Sequence, residues 1–436
     1  MLRVVGGTGA LKIGVMGVSG VFGIFTSRLI IQHFGTDAYA QYGLLTSFPA
    51  LLPFADLGIA AVVINAVAGA KDPSTDPEAR RSMTTAFRIL LVAGAVLAGI
   101  SIAITVLGLW PVLLGDGLTR NGPLAAFACL AIFGLVLPLT VGQRVLVGLH
   151  RTASQVAAQT VVAPFMFVSI GLVAVLGIEA GDYLATLSYV ASGLVSAICL
   201  VVAGRALRPQ MTRAIRDIPR LRSVRGVPVI HLAWPNLVQM IALPIAMQTD
   251  RLLLSHIGAP GDLAEYNLSS QLFGLVLQAI AAAGIALWPI FARARAQDEV
   301  QSPWKPMIVF LLAGLLAALA LAFASGWVAR FISDGMIELN VWILVGFVAF
   351  VTMQAAKYPL GMYMTDRRGL TFQVWPILVM VPLNLGLSCW LIGPFGSGGP
   401  IMGSAVSVLL CQVIPNMVYV RHDLRRRQGG HTPQPS

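Results

Sequence analysis

Charged side chains are scarce in this sequence. Of its 436 residues only 11% are charged, whereas 57% are hydrophobic, and the mean hydropathy is +0.82. A soluble protein of this length needs far more charge to cover its surface. The composition therefore excludes an ordinary soluble protein and predicts an all-α membrane protein that crosses the bilayer several times.

Lysine and cysteine are also rare. Only four of the 29 basic residues are lysine. The net charge of +11 does not indicate a nucleic-acid partner, because most basic residues lie in short segments between apolar runs. The four cysteines all lie inside apolar stretches, which is typical of buried small hydrophobic side chains rather than of disulfides or metal ligands. They are Cys129, Cys199, Cys389 and Cys411.

Twelve segments are long and apolar enough to cross a membrane, for which a helix needs about 20 residues. The first continues to about Phe34, which is longer than the apolar core of a signal peptide, so we predict a retained helix. The predicted spans are 10–34, 39–66, 87–109, 123–148, 156–177, 183–204, 229–257, 264–291, 306–330, 338–363, 371–393 and 399–420.

The arginines and lysines orient these spans. If the N-terminus is cytoplasmic, 23 basic residues lie inside, four lie within spans, and only Arg120 and Arg330 lie outside. The longest inner connection carries seven arginines and is predicted to link two halves. The predicted domains are an N-terminal lobe at 1–204 (spans 1–6), a basic cytoplasmic linker at 205–228, a C-terminal lobe at 229–421 (spans 7–12) and a basic cytoplasmic tail at 422–436.

The two halves repeat each other. "TSRLIIQHFG" (26–35) matches "TDRLLLSHIG" (249–258), and the match continues, with one inserted residue, to align Tyr42 with Tyr266. A second pair, "QRVLVGLHRT" (143–152) and "AKYPLGMYMT" (356–365), aligns Arg144 with Lys357. Chance produces Leu and Ile matches, but Arg, His, Gly and Tyr at a constant offset are harder to attribute to it. Because each half has an even number of spans, we predict parallel repeats about an axis along the membrane normal.

Three stretches resemble polysaccharide flippases of the Wzx type. Residues 34–67 contain a glycine, an aromatic-rich entry to span 2 and the "DLG" element at 56–58; residues 248–258 resemble span 7 of that family, and "GLHRTASQ" (148–155) its inner loop after span 4. These motifs specify the multidrug/oligosaccharidyl-lipid/polysaccharide exporter superfamily. The resemblance implies two pseudo-symmetric six-helix lobes around a central cavity that opens alternately to each side. It also implies a place in the bacterial cytoplasmic membrane, with both termini inside.

Six ionisable residues fall within the predicted spans: Arg28, Asp56, Arg144, Asp250, Arg251 and Lys357. A charge that faces lipid at a helix centre costs about 2.5–3.5 kcal/mol on insertion scales. We therefore expect most of them to face the cavity or to pair internally. Arg28 and Arg251 lie about two turns from the outer end of their helices. Arg144 and Lys357 lie near an inner end. The cavity would then carry a cationic layer near each mouth.

Structural roles compete with this interpretation. All four cations have side chains long enough to snorkel to the membrane interface. Asp250 could neutralise Arg251, although adjacent helical residues point about 100° apart. Asp56 could pair with Arg28. Asp56 and Asp250 are the candidates for coupling transport to an ion, provided that their roles are not purely structural.

Four cations against two acids favour an anionic substrate, and a polyprenyl-diphosphate-linked oligosaccharide fits. Arginine donates two hydrogen bonds to phosphate and stays charged. Each sugar hydroxyl stripped of water costs a few kcal/mol, which a hydrated cavity avoids, while the lipid tail stays in the bilayer. The predicted phosphate ligands are Arg28, Arg251, Arg144 and Lys357. The predicted sugar contacts, which could instead be interhelical hydrogen bonds or interface anchors, are Tyr42, Gln239, Gln248, Tyr266, Asn267 and Gln271.

No cofactor is expected. "GGTGALK" (6–12) has neither the spacing nor the preceding strand of a phosphate-binding loop. Transport would therefore run on an H⁺ or Na⁺ gradient, on downhill flow of substrate, or on consumption of the product outside. The expected partners are the lipid-linked glycan, membrane lipid, and a polymerase or glycosyltransferases of the same pathway.

Two other functions stay open. A cation-coupled multidrug exporter of the same superfamily usually carries acidic residues in its cavities, whereas the balance here is positive. A membrane-embedded glycosyltransferase or polymerase needs carboxylates at a membrane face, commonly on sizeable outer loops. The outer acids of this chain are scattered over short loops: Asp37, Glu179, Asp182, Asp262 and Glu265. We therefore predict a flippase and not an enzyme.

Overall fold

The computed structural model describes residues 2–52, 59–220, 248–297, 299 and 301–429, and every regular element in these ranges is helical. The chain divides into two compact units, Met1–Ile241 and Ala242–Ser436. The all-helical fold predicted from composition is confirmed.

The N-terminal unit contains eleven described α-helices. They are α1 (Leu2–Thr46), α2 (Phe48–Leu51), α3 (Ile59–Gly69), α4 (Pro77–Val106), α5 (Trp110–Leu114), α6 (Gly122–Val136), α7 (Val141–Gly148), α8 (Thr152–Gln159), α9 (Val162–Val175), α10 (Leu184–Ala206) and α11 (Gln210–Arg216).

The C-terminal unit contains eight described α-helices. They are α12 (Asp250–Ile257), α13 (Asp262–Ile285), α14 (Trp288–Ala296), α15 (Trp304–Ser333), α16 (Val341–Tyr363), α17 (Arg367–Phe395), α18 (Gly399–Val408) and α19 (Ile414–Gly429). A π-helical stretch at Leu409–Val413 joins the helices α18 and α19.

Within the described ranges, nine continuous helical segments are long and apolar enough to cross a membrane, and one of them, Arg368–Arg427, contains both of the last two predicted spans. The protein is therefore a multi-pass membrane protein, as predicted. The count of twelve stays a prediction, because predicted spans 2 and 7 include residues 53–58 and 229–247, which lie outside the described residues. Residues 221–228 of the predicted linker and 430–436 of the predicted tail lie outside them as well.

A glycine marks the corresponding helix break in each unit. Gly35 interrupts α1 with φ 87° and ψ 172°, a conformation that L side chains rarely adopt. Gly258 follows the last residue of α12 in extended conformation, and a Cβ atom there would lie 2.5 Å from the carbonyl oxygen of Leu254. The repeat thus places glycine at both breaks, although the physical reason differs between them.

Glycine also lets two helices of the N-terminal unit approach closely. A Cβ atom on Gly94 of α4 would lie 2.2 Å from the carbonyl oxygen of Gly134 on α6, and one on Gly134 would lie 2.7 Å from the carbonyl oxygen of Gly94. Contacts between small residues are typical of helices that associate in lipid, where hydrophobic burial between helices contributes little.

The first part of the predicted linker belongs to the packed N-terminal unit. Asp217, which follows α11 and is 1% exposed, pairs with the Arg80 guanidinium of α4. Arg88 of α4 donates to the carbonyl oxygens of Asp217 and Ile218, at 2.7 and 3.0 Å. Gln210 donates to the carbonyl of Asp76, just before α4, at 2.8 Å. Residues 210–218 are therefore fixed to the start of α4.

Gln41 joins three segments at the end of the N-terminal unit that is predicted to face outside. Its amide nitrogen donates to the Asp182 carbonyl at 2.7 Å, in the turn before α10. Its amide oxygen accepts from the backbone N–H and the hydroxyl of Thr119, before α6, at 2.8 and 3.0 Å. The Thr119 hydroxyl also bonds the Asp182 carboxylate at 2.5 Å. The side chain is 1% exposed.

Glu265 does the same in the C-terminal unit, at the position that the repeat aligns with Gln41. Its carboxylate accepts from the backbone N–H of Asn340, just before α16, and from the hydroxyl of Ser397 at 2.5 Å, in the turn before α18. We call Gln41 and Glu265 the outer junction residues. Each connects two loops within its own unit, and the loops that they connect are equivalent in the repeat. This supports the repeat with contacts that the sequence match did not use.

The outer junction residue Gln41 is expected to stabilise its unit measurably. Gln41→Leu leaves the Thr119 N–H and the Asp182 carbonyl without this partner in a half-buried environment, which costs up to about 1–3 kcal/mol per unsatisfied group. We expect a clear fall in the thermal unfolding temperature of the detergent-solubilised protein. The control is Gln159→Leu at an exposed position of α8, where we expect about 0.5 kcal/mol or less. Equal shifts in both variants would contradict the role of the junction.

Candidate functional site

A buried carboxylate lies where α12 begins. Asp250 is 2% exposed, and the Tyr266 hydroxyl of α13 donates to its Oδ2 at 2.8 Å. The Ser404 hydroxyl of α18 lies 3.4 and 3.3 Å from its two oxygens. Asp250 thus connects three helices of the C-terminal unit, and we call Asp250, Tyr266, Asn384, Ser388 and Ser404 the carboxylate cluster.

The cluster continues into α17. Asn384 donates from Nδ2 to the Ser404 hydroxyl at 2.9 Å, and the Ser388 hydroxyl lies 3.1 Å from Oδ1 of Asn384. All three residues are fully buried. Gly403 makes this approach possible, because a Cβ atom there would lie 2.7 Å from Oγ of Ser388. The fold therefore joins polar groups of α13, α17 and α18 to one carboxylate of α12, with Asn384 and Ser388 connected to it through Ser404.

The donor set of the cluster is made of oxygens and one amide nitrogen. It contains a single carboxylate, two serine hydroxyls, a phenol and an amide, and no imidazole or thiol. Zinc sites use histidine and cysteine, whereas hard cations prefer oxygen ligands. The cluster is chemically suited to hold a proton or a hard monovalent cation at the carboxylate.

Arg251 points to a neighbouring helix of its own unit. Its Nε donates to Oδ1 of Asn267 at 2.7 Å, and one terminal nitrogen donates to the Ser270 hydroxyl at 3.1 Å. The guanidinium carbon also lies 5.8 Å from the centroid of the Tyr266 ring, within range of a cation–π interaction. Asp250 and Arg251 therefore form hydrogen bonds with different residues, although Tyr266 contacts both: its hydroxyl donates to the carboxylate and its ring faces the guanidinium.

The other predicted cations are half-buried. Arg28 lies on α1, seven residues before the break at Gly35, as Arg251 lies seven residues before Gly258. Arg144 lies on α7. Lys357 lies on α16, with Nζ 5.4 Å from the ring centroid of Tyr358.

The predicted sugar contacts have different surroundings. Asn267 is buried and holds Arg251, whereas three others are half-buried: Tyr42, Gln248 and Gln271. Asp56 and Gln239 lie outside the described residues. The structure thus brings Asp250, Arg251, Tyr266 and Asn267 together.

The equivalent site of the N-terminal unit has a different composition. The repeat aligns Ser27 with Asp250, and Ser27 is also buried, at 3% exposed. It aligns Tyr42 with Tyr266 and Gly43 with Asn267. The cation is therefore kept in both units, whereas at the aligned positions a serine and a glycine replace the carboxylate and the amide of the C-terminal unit.

Sequence reasoning missed Asn384, Ser388 and Ser404. A signal for two of them was present: Asn384 and Ser388 are four residues apart in an apolar run, so they share one helix face. Polar residues in such a run are typical of helix contacts or of a site. Ser404 lies on a different helix and becomes relevant only when α18 packs against α17.

Comparisons with known proteins agree with this fold. The sequence profile of the polysaccharide biosynthesis protein family matches residues 8–295, more than half of the chain. No curated protein sequence matches the chain.

Solved structures of transporters share the fold. A multidrug resistance MATE family transporter of the MOP superfamily, in an inward-facing conformation, has a TM-score of 0.67 at 15% identity, over 97% of this chain and 100% of that one. The lipid II flippase MurJ, in an inward closed conformation, has a TM-score of 0.64 at 12% identity, over 96% and 90%. A Vibrio cholerae MATE transporter has a TM-score of 0.59 at 14% identity, over 97% of each chain.

The Tyr266 hydroxyl is expected to contribute to stability through Asp250. Tyr266→Phe removes one hydrogen bond from a buried carboxylate, which costs about 1.5–3 kcal/mol. The matched control is Tyr42→Phe, which deletes the same hydroxyl at the aligned, half-buried position of the N-terminal unit, where Ser27 stands in place of Asp250 in the repeat. We expect thermal unfolding in detergent to shift clearly for Tyr266→Phe and little for Tyr42→Phe. Similar shifts in the two variants would show that the hydrogen bond to Asp250 contributes no more to stability than the Tyr42 hydroxyl does.

Proposed function

The chain belongs to the polysaccharide biosynthesis protein family, and from this premise we propose that it flips a polyprenyl-diphosphate-linked oligosaccharide or polysaccharide repeat unit from the inner to the outer leaflet. It acts in the bacterial cytoplasmic membrane with both termini in the cytoplasm. A polymerase or glycosyltransferases of the same pathway produce and consume its substrate. Transport is proposed to run by alternating access, in which a central cavity opens in turn to each side of the membrane.

One observation carries the proposal: a cation recurs at the same position of both units. Arg28 and Arg251 each lie seven residues before the glycine that breaks the helix. A half-buried guanidinium in a membrane protein is expensive and is expected to have a function. Two such groups suit a diphosphate, which presents two phosphates, each able to accept paired hydrogen bonds from arginine.

The surroundings of Arg251 support a binding role. Asn267 and Ser270 are neutral, so they orient the guanidinium without cancelling its charge. Two of its hydrogen-bond donors are used there, and arginine has five. The remaining donors are available to an anionic headgroup. Neither of the two hydrogen bonds is to a carboxylate.

The remaining predicted ligands complete the binding surface. Arg144 and Lys357 attract the headgroup near the inner mouth of the cavity, and Tyr42, Tyr266 and Gln248 contact the sugars. These groups offer rings and neutral hydrogen-bonding atoms, which suit hydroxyl-rich ligands. Their half-buried environment, Tyr266 excepted, leaves part of each side chain accessible.

The carboxylate cluster is proposed to couple transport to an ion. Asp250 is buried beside neutral polar partners on three helices, so binding or release of H⁺ or Na⁺ changes the charge of the cluster and the packing of these helices together. Asp56 is the second coupling candidate.

Removing the paired arginines tests the proposed binding site. In Arg28→Ala/Arg251→Ala we expect surface glycan to fall by at least about tenfold, because each charge-assisted contact is worth about 1.5–3 kcal/mol. The matched control is Arg120→Ala/Arg330→Ala, which removes two exposed arginines. Membrane content of all variants is measured by immunoblot. Normal glycan output from the first double variant would count against the assignment.

Replacing Asp250 tests the proposed coupling. In proteoliposomes, Asp250→Asn is expected to abolish the response of glycan-lipid flipping to an imposed H⁺ or Na⁺ gradient, because the amide can neither bind a proton nor supply charge to a cation. Asp37→Asn, at an exposed position near the same predicted side, is expected to keep the response. A response that persists in Asp250→Asn would assign coupling elsewhere, with Asp56→Asn as the next variant.

A cation-coupled multidrug exporter is the second candidate. The observation that favours it is the buried Asp250, since a carboxylate can exchange a proton for a cationic drug. Efflux of a cationic dye that survives Arg28→Ala/Arg251→Ala but is lost in Asp56→Asn or Asp250→Asn would support this candidate over the flippase. A membrane-embedded glycosyltransferase would instead require detectable glycosyl transfer by the purified protein.

A further inference from the structure

A basic and aromatic pocket lies between α17 and α19, at the end of the C-terminal unit predicted to face the cytoplasm. Its volume is about 540 Å³. Arg368 and Phe372 line it from α17, and Tyr419, His422 and Arg426 line it from α19. The Phe372 and Tyr419 rings connect the two helices, with centroids 4.9 Å apart. None of these residues belongs to the site described above.

One wall of the pocket is held in place by hydrogen bonds. The Asp423 carboxylate accepts from the Tyr363 hydroxyl at 2.6 Å and from Nε of Arg427 at 2.8 Å. Arg295 of α14 donates to the carbonyl of Tyr363. These hydrogen bonds connect the wall to α16 through Tyr363 and to α14 through Arg295, so the pocket has a defined shape.

The pocket has an excess of positive charge. The carboxylate of Asp423 is already paired with Arg427, and that of Asp366 caps the start of α17 by accepting from the Gly369 N–H at 3.3 Å. Arg368 and Arg426 are both exposed, and neither forms an ion pair with a described carboxylate. Two guanidinium groups therefore face the pocket with donors for an anion.

Both helices change from basic to apolar along the same face. On α19, the exposed residues Ile414, Val418, His422 and Arg426 follow at intervals of four. On α17, Arg368 is followed along the helix by Phe372 and by Trp375, which is 71% exposed. Residues at this spacing share one helix face. The basic end of the groove thus leads directly to exposed apolar surface of the kind that lipid covers.

From this juxtaposition we infer that the pocket binds the phosphate-bearing headgroup of a membrane lipid, with Arg368 and Arg426 as phosphate ligands and the apolar stripes of α17 and α19 against the acyl or prenyl chain. Arginine forms paired hydrogen bonds with phosphate, and basic pockets between helices on the cytoplasmic side suit anionic headgroups. The inference does not depend on the proposed transport function, since either a resident glycerophospholipid or a polyprenyl diphosphate has the required chemistry.

The test compares two pairs of arginines. Delipidated full-length protein is titrated with phosphatidylglycerol, with phosphatidylethanolamine and with undecaprenyl diphosphate, and bound lipid is measured by native mass spectrometry. The pocket variant is Arg368→Gln/Arg426→Gln. The matched control is Arg421→Gln/Arg425→Gln, which removes two exposed arginines from α19 that do not line the pocket.

We expect the affinity for at least one phosphate lipid with net negative charge to fall about tenfold or more in the pocket variant and to stay within about twofold in the control. Loss for phosphatidylglycerol would identify a resident phospholipid, and loss confined to undecaprenyl diphosphate would identify the lipid carrier; either supports the inference. Equal effects in the two variants, or an equal loss for phosphatidylethanolamine, would overturn it. Val418→Asp, which places a carboxylate at the exposed apolar margin and keeps both arginines, should weaken the same lipid and serves if the arginine variant does not fold.

Discussion

Polar groups inside a hydrocarbon solvent must find their partners within the protein, and this constraint organises the C-terminal unit. The sequence places Asp250 and Arg251 side by side at the start of one helix, from which they point in different directions. The charges are satisfied separately: the carboxylate by Tyr266 and Ser404, and the guanidinium by Asn267 and Ser270. Two adjacent residues therefore require four polar partners from neighbouring helices. This requirement fixes how those helices pack.

The internal repeat solves the same structural problem twice with different chemistry. At the outer junction, Gln41 and Glu265 occupy aligned positions and each connects the loops before two later helices. The amide both donates and accepts, so it can bond a carbonyl and an N–H. The carboxylate only accepts, so its partners are an N–H and a hydroxyl. The contact has been kept while the donors and acceptors around it have changed, which is why a comparison of residue identities alone does not reveal it.

Much of this fold could be predicted from local patterns. Features that depend on long-range contacts could not. Apolar length predicted the membrane helices, and the spacing of Arg, Gly and Tyr predicted the repeat, because both depend on residues near each other in the chain. The glycines at 35 and 258 were found by alignment, yet their different backbone conformations were not. Ser404 was missed because its role depends on a contact across 154 residues. In the sequence Glu265 is one of several scattered acids, since its burial arises only when Ser397 and Asn340 meet it in the folded unit.

The asymmetry between the units suggests how two tasks can share one repeated framework. The cation is present in both halves, which under the proposed function suits the two phosphates of one headgroup. The position that the repeat aligns with this carboxylate is occupied in the N-terminal unit by Ser27, which is neutral and buried. A neutral hydroxyl cannot change its charge by binding a proton or a cation, whereas Asp250 can. Under the proposed function, attraction of the headgroup is therefore divided between the two units, while ion coupling through this position is restricted to the C-terminal one.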